Sequence, residues 1–478
     1  MAGKLKKHPQ SYVVKPAPEK LALLPYQAKG VAFLTELRGG LLGDSPGVGK
    51  TPQLLKAAEN MREGGKILYL TLASIKRQTS KEVGRFTDMS AVCITGTPAQ
   101  RRSLWETRAD VYVANYELLL SPLDMLSMHK LAPTVIICDE ATRLSNVSGK
   151  QYKVLRKLSA AHPKAIRIAS TGTPVSNVPT DIYGILDWVF PNCLGSWIGF
   201  MTKFVVFDGM RRPLYFRNLK DLAEKIKPFF IRRTIKDVLS DIPPVRVKQI
   251  EFDLSPTERK LYDLVRLGAV MAIPEGELNV KATSISNRLT RAIRLCQVAD
   301  SLELVSDKHK GSSKTDRLME LLDEILPDKV IIYSKFSSYA RLIHKAVNMR
   351  HYPLLITGET PNPERDDILK RFNGSDRYKV LVITDAAAMG LNLQEACHHL
   401  VFADLPWSVS KYVQILGRIR RIGQKFPMVL YEVMGTDTVD YKVKQILEKK
   451  KGYVDMLLGE EVVEDYEVKA DELDDIML

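Results

Sequence analysis

Gly43-Asp44-Ser45-Pro46-Gly47-Val48-Gly49-Lys50-Thr51 has the residue types of a loop that wraps an anion. Glycines let backbone N–H groups converge on phosphate oxygens without a Cβ in the way. Lys50 then reaches the β- and γ-phosphates of a nucleotide, and the Thr51 hydroxyl is placed to hold Mg2+. Pro52 follows in what reads as a first helical turn, where its missing N–H costs little. The strict G-x-x-x-x-G-K-[ST] pattern requires glycine at position 44, where this chain has Asp44. Gly47 and Gly49 supply the remaining freedom.

A second group is Val135-Ile136-Ile137-Cys138-Asp139-Glu140, an apolar run that ends in two adjacent carboxylates. Alone, this is a common solvated strand end. Downstream of a phosphate loop it acquires a division of labour, with Asp139 holding Mg2+ and Glu140 activating water. A third is Gln414-Ile415-Leu416-Gly417-Arg418-Ile419-Arg420-Arg421. Arg418 and Arg421 are three apart, which places them on one helix face. Such a pair suits the charge that builds on a transferred phosphoryl group; a solvated basic face or a phosphate-backbone contact is the simpler alternative.

These groups need a scaffold. Short apolar runs at 39–44, 66–72, 110–116, 134–140 and 166–171 alternate with helical stretches, and a second series lies at 329–334, 352–357, 379–384, 399–404 and 428–434. Continuous apolar strands with helices between them predict parallel sheets covered on both faces. The expected fold is therefore α/β, with two tandem parallel-sheet lobes at 21–235 (helical extension near 180–235) and 312–455. Residues 236–311 read as a mostly helical connecting insertion, in which Ser255 and Glu258 form a capping box. Residues 1–20 read as a basic flexible arm. At roughly 150 residues per domain, the 478-residue length accommodates this plan.

Charge and composition narrow the class. Lys plus Arg number 70 against 56 Asp plus Glu, a net charge of +14. Residues 459–478 hold nine acids against one base, −8, which leaves +22 on the remainder. So basic a body suits a polyanion, most often nucleic acid. The acidic tail, 456–478, reads as a solvated end, or as a segment that folds onto the basic groove or docks a protein partner. The five cysteines, Cys93, Cys138, Cys193, Cys296 and Cys397, form no C-x-x-C pair, which argues against a zinc module or a disulfide framework. No apolar run reaches the roughly 18–20 residues of a membrane span. No apolar stretch follows the basic start, so an intracellular, cytoplasmic or nucleoid-associated protein is expected.

Taken together, the motifs resemble superfamily-two helicases, and within them the Swi/Snf-type family of DNA-translocating ATPases. Leu24-Pro25-Tyr26-Gln27 with Gly30 is similar to the Q motif, which implies that Gln27 recognises adenine. Asp44-x-x-Gly47-x-Gly49-Lys50-Thr51 resembles the family's motif I, in which Asp is usual. Asp139-Glu140-Ala141-Thr142 resembles motif II, with Thr142 where His is common. Ser170-Thr171-Gly172-Thr173-Pro174 resembles motif III, implying that Thr171, Gly172 and Thr173, with Gln414, couple nucleotide to DNA. Phe230-Ile231-Arg232-Arg233-Thr234-Ile235-Lys236-Asp237-Val238, then Ile242-Pro243-Pro244, is the most family-specific segment. Gly390-Leu391-Asn392-Leu393 resembles motif V, and Arg418-x-x-Arg421-Ile422-Gly423-Gln424 resembles motif VI. Motif V lacks the usual glycine pair, Ser408-Val409 replaces Asn-Pro after Trp407, and Arg420 stands where His is common.

The resemblance spans about 21–450 and implies that the two lobes are RecA-like, with a helical connecting insertion, and that ATP and Mg2+ are the ligands, with Gly390 in the nucleotide site. It implies a monomeric ATP-dependent motor on duplex or branched DNA, gripping mainly phosphates. Ser74, Lys76, Asn115, Lys335, Thr384 and Trp407 are the candidate DNA contacts, with Trp407 more readily read as interior packing. No chromodomain, bromodomain or zinc module is recognised, which suits a bacterial or viral DNA-processing role. An RNA helicase of the same superfamily and a non-catalytic nucleic-acid scaffold are the alternatives.

Overall fold

The computed structural model describes residues 12–176, 178–210, 213–238, 243–267, 288–306, 311–385, 393–394, 396–458 and 468–469. The chain divides into two compact units, one mainly from Met1–Val206 and Phe216–Ser240, the other mainly from Asp241–Tyr453.

The first unit is built on an eight-stranded sheet. Its strands are β1 (Val13–Val14), β2 (Gly40–Leu42), β3 (Ile67–Thr71), β4 (Ala91–Cys93), β5 (Val111–Asn115), β6 (Val135–Asp139), β7 (Ile166–Ser170) and β8 (Phe230–Ile231). The order is β1-β4-β5-β3-β6-β7-β2-β8, parallel except for β1. Every residue of β3, β5 and β6 is buried, as the uninterrupted apolar runs require of strands covered on both faces. The crossover connections bring β2, β6 and β7 side by side, so the loops at their carboxyl ends, 43–49, 140 onward and 171–173, meet at one edge.

The second unit carries a six-stranded, all-parallel sheet of β9 (Val245–Phe252), β10 (Val330–Tyr333), β11 (Leu354–Ile356), β12 (Val380–Ile383), β13 (His399–Phe402) and β14 (Met428–Gly435). Its order is β9-β14-β13-β10-β12-β11. The fold is thus α/β with two parallel-sheet lobes, and all ten apolar runs became strands.

Two expectations change. Residues 236–311 do hold the helices Pro256–Arg266 and Arg288–Asp300. They also hold β9, which pairs along its full length with β14, so this stretch is an edge of the second sheet and not only a helical connection. The capping box at Ser255 and Glu258 is present. At the other end, residues 12–20, expected within a flexible arm, lie on the first lobe. Val13 and Val14 pair with Val92 and Ala91, the Ala17 N–H donates to the Gly84 carbonyl at 2.7 Å, and Lys20 meets Asp88 at 3.1 Å.

All five cysteines are unbridged. No helix among the described residues is long and apolar enough to cross a membrane.

Candidate phosphate-loop site

The chain leaves β2 through Gly43 and turns into the helix Lys50–Met61 at Gly49. Gly47 and Gly49 have φ of 93° and 74°, in the left-handed region that glycine adopts freely. A Cβ on Gly49 would stand 2.6 Å from Gln27 Nε2. Lys50 Nζ donates to the Asp44 carbonyl at 2.9 Å and to the Ser45 carbonyl at 3.3 Å, folding the lysine back over the loop. Burial pulls the Lys50 ammonium's pKa down, opposed by the charges of Glu140, Asp139 and Asp44. The Lys50 ammonium thus feels the charges of the two strand-end carboxylates.

Asp139 ends β6. Its Oδ2 accepts from the Tyr69 hydroxyl at 3.0 Å, and its Oδ1 from the Glu140 N–H at 3.1 Å. Burial, reinforced by the Glu140 charge, lifts the Asp139 carboxyl to about 6. Successive strand side chains point to opposite faces. Glu140 breaks that alternation with a φ of 53°, and its charge is felt by both Asp139 and Lys50. Glu140 Oε2 is buried and accepts no hydrogen bond. Such an oxygen costs about 1–3 kcal/mol unless something donates to it.

The Tyr69 hydroxyl is buried and donates to Asp139, one of the two residues expected to hold the metal, which fixes that carboxylate at the end of β6. Mg2+ prefers hard oxygen donors, usually one or two protein groups with waters and substrate phosphates. The Asp139 carboxylate oriented by Tyr69, the Thr51 hydroxyl that follows Lys50 in the chain, and the unsatisfied Glu140 oxygen are hard oxygen donors that fit that preference. Nothing in the local sequence marked Tyr69.

Asp44 has a partner that sequence reading missed. Its carboxylate is fully buried and receives Gln53 Nε2 at 3.0 Å, the Arg233 N–H at 3.0 Å, Arg233 Nε at 3.0 Å and Arg233 Nη2 at 2.6 Å. Arg233 also reaches Gln53 Oε1 and the Tyr26 carbonyl. Arg232 Nη1 donates to the Gly43 carbonyl at 2.8 Å and the Gly172 carbonyl at 3.2 Å. The twin arginines thus brace the phosphate loop through β8, which pairs with β2. Gly30 is needed there, since a Cβ would lie 2.0 Å from Gln53 Oε1.

Gln27 is engaged with the loop. Its Oε1 accepts from the Leu24 N–H at 2.9 Å, and its Nε2 donates to the Val48 and Gly49 carbonyls at 3.4 and 3.2 Å. Thr171 Oγ1 accepts from the Thr173 N–H at 3.2 Å, and a Cβ on Gly172 would come within 2.7 Å of Pro46. The 171–173 turn therefore packs directly on the phosphate loop.

The other candidates are placed differently. Lys76 and Asn115 do come together, but on one another. Lys76 Nζ donates to Asn115 Oδ1 at 2.7 Å and to the Ile94 carbonyl at 2.6 Å, and Asn115 Nδ2 donates to Glu117 at 2.7 Å. Burial lowers the Lys76 pKa. These two residues form an internal brace and present no surface charge, whereas Ser74 is half-buried.

In the second unit, Lys335 is likewise interior, with Nζ 3.3 Å from the Leu405 carbonyl and 5.3 Å from the centre of the Trp407 ring. Trp407 packs against the second unit's own core. Thr384 is buried with no hydrogen bond to Oγ1. The helix Val409–Leu416 ends before the motif VI arginines, so Arg418 lies in a turn and Arg421 in a bend, not on one helix face. The Arg418 N–H donates to the Ile415 carbonyl and the Arg420 N–H to the Leu416 carbonyl as the last turn tightens. Gln414 Nε2 donates to Ser410 Oγ at 3.4 Å. Gly390 and the tail from 459 lie outside the described residues, apart from Val468–Lys469.

A parallel sheet that feeds a glycine loop into a helix, with an acidic strand end beside the lysine, defines the phosphate-loop class of α/β proteins. The sequence matches the SNF2-related domain over residues 26–302 and the helicase conserved C-terminal domain over 313–423. The first match exceeds half of the chain, which therefore belongs to the SNF2-related family. An uncharacterized ATP-dependent helicase of Mycoplasma genitalium is 25% identical over 454 residues, 92% of this chain and 42% of the relative. The nuclear protein STH1/NPS1 of Saccharomyces cerevisiae is 27% identical over 87% of this chain and 33% of its own length. The chain thus spans less than half of either relative. Among solved structures, a Sulfolobus solfataricus SWI2/SNF2 ATPase core in complex with dsDNA is 24% identical over 93% of this chain and 95% of that one, with a TM-score of 0.43.

Proposed function

We propose that this chain is an ATP-hydrolysing motor, stimulated by DNA, that translocates on duplex or branched DNA to remodel forks or junctions or to displace bound protein. The observation that carries this reading is the buried, unpartnered Glu140 Oε2 beside Asp139 and Lys50, within a chain of the SNF2-related family. A carboxylate held there without a donor suits a base that orients the attacking water.

In this reading, the loop amides and Lys50 hold the phosphates and Gln27 faces adenine. Thr51 and Asp139 hold Mg2+, which when bound neutralises charge on the phosphates. Arg418 and Arg421 offset the charge that develops on the transferred group. The 171–173 turn passes changes at the loop to the DNA-binding surface, together with Gln414. Ser74 contacts phosphate directly, while Lys76, Asn115, Lys335 and the buried Thr384 hold their own loops in shape. Sequence-tolerant, salt-sensitive binding follows from phosphate contacts.

Displacement of a third strand from a triplex tests translocation apart from strand separation. ATP-dependent displacement, absent in Lys50→Ala, is the expected result. Vigorous DNA-stimulated hydrolysis without displacement would rule out the motor.

A further inference from the structure

At the amino ends of the central strands of the second sheet, three ligand-type side chains converge that the nucleotide site does not use. Asp328 Oδ2 lies 3.8 Å from His398 Nε2 and 3.5 Å from His399 Nε2, and all three ligand atoms fall within 4.8 Å of one another. Two donors about 2.0–2.1 Å from a tetrahedral zinc ion stand roughly 3.3–3.4 Å apart. The Asp328 distances already approach that edge length, and the remaining adjustment falls on exposed Asp328 and half-buried His398 around the buried His399.

The ring of His399 is held in orientation. Its Nδ1 is 3.3 Å from the Tyr431 hydroxyl, which leaves Nε2 turned toward Asp328. Metal-binding histidines are typically fixed in this way through the second ring nitrogen. The backbone supports the convergence, because His399 pairs with Val330 in register and so brings the 326–329 loop beside the histidines. Phe426 covers the outer ring, its centre 5.4 Å from that of His398. Cys397 Sγ lies 3.0 and 3.1 Å from the Lys329 and His399 carbonyls, so its single S–H is engaged with the backbone and the thiol is not among the converging ligand atoms.

We propose that Asp328, His398 and His399 form a binding site for a borderline divalent transition metal of the zinc class, with water completing the coordination. Two imidazoles and one carboxylate suit zinc, cobalt or nickel better than Mg2+, which prefers oxygen. The site joins the 326–329 loop to the start of β13. It lies at the strand ends opposite Ser334, Thr384 and Asp404, away from the proposed DNA-facing loops.

Metal-stripped full-length protein titrated with Co2+, then back-titrated with Zn2+, tests the site. One equivalent of Co2+ with visible absorption bands of low coordination number, displaced by one equivalent of Zn2+, is the expected result. Asp328→Asn and His398→Gln each weaken Zn2+ binding by about tenfold or more, while Mg2+-dependent hydrolysis of ATP stays unchanged. Both positions are at the surface, and circular dichroism verifies the fold of each variant. Absence of saturable Zn2+ binding by the wild-type chain would overturn the proposal. So would undiminished affinity in both folded variants, which would place the metal on other histidines.

Discussion

The Arg233 guanidinium and the Asp44 carboxylate, 189 residues apart in sequence, meet in a two-point ion pair behind the phosphate loop, with Nε–Oδ1 3.0 Å and Nη2–Oδ2 2.6 Å. Asp44 has no exposed surface, so this pair is what allows a charge at that position. Removing one partner of a buried pair leaves an uncompensated charge and costs about 3–5 kcal/mol. Arg233→Ala is therefore expected to destabilise the first unit by that order and to lower nucleotide affinity, because the loop loses its brace. Asp44→Asn combined with Arg233→Ala should cost clearly less than the sum of the single changes. A double-mutant cycle from urea unfolding measures the coupling, and additive single effects would refute it.

The acidic strand end makes a prediction about pH. Asp139 is lifted to about 6 from an ordinary value of 3.8, chiefly by burial and next by the Glu140 charge. A raised carboxyl favours its protonated form in the fold. Its contribution to stability is thus present below about pH 4 and lost as pH rises through 6. Metal binding has the opposite requirement, since Asp139 must be ionised. Mg2+-dependent binding of a fluorescent ATP analogue should fall as pH drops through about 6. Glu140→Gln removes a charge that holds the carboxyl up, so the midpoint should move to lower pH in that variant. A midpoint unmoved or raised would contradict the assignment.

Lys314 is buried in the second unit, 2.8 Å from both Asp300 and Asp440. Burial opposes its charge, but the two carboxylates outweigh that and hold the ammonium's pKa well above its usual value. This ties the end of the helix Arg288–Asp300 and the start of the helix Val439–Leu457 to the helix Ser313–Ile325. Lys314→Met is expected to cost about 3–5 kcal/mol in the unfolding of this unit. Adding Asp300→Asn and Asp440→Asn should restore part of the loss, as followed by denaturant titration.

Lys76 separates a brace from a DNA contact. With Nζ committed to Asn115 and Ile94, Lys76→Met should lower stability by about 1–3 kcal/mol. It should leave the salt dependence of duplex binding unchanged. A direct phosphate contact would instead reduce the log–log salt slope by about 1. Fluorescence anisotropy across a salt series distinguishes the two.

What the sequence made legible was local. The phosphate loop, the strand–Asp139–Glu140 end and the ten apolar strands each carry their signal within a few residues. The Ser255 capping box was legible for the same reason. Long-range relations were not. Asp44 looked like a departure from a loop pattern, because its partner lies at Arg233, and Tyr69 reads only as an aromatic in an apolar strand. Strand β9 escaped because VRVKQIEF is an edge strand with exposed Arg246 and Lys248, and so lacks the apolar run of its neighbours. Lys76 and Lys335 looked like surface cations because burial is not written in residue type. Arg418 and Arg421 were set on one helix face by their spacing, but the helix stops at Leu416, just before Gly417.

In the proposed motor, Lys50, Asp139 and Glu140 hydrolyse ATP in response to DNA. Steady-state hydrolysis measured without nucleic acid and with duplex, single-stranded, forked and four-way DNA or RNA tests it most directly. Strong stimulation by duplex or branched DNA, reduced about a hundredfold or more in Glu140→Gln, is the predicted result. Stimulation by RNA alone, or hydrolysis undiminished in Glu140→Gln, would overturn the assignment of a DNA-driven ATPase to these residues.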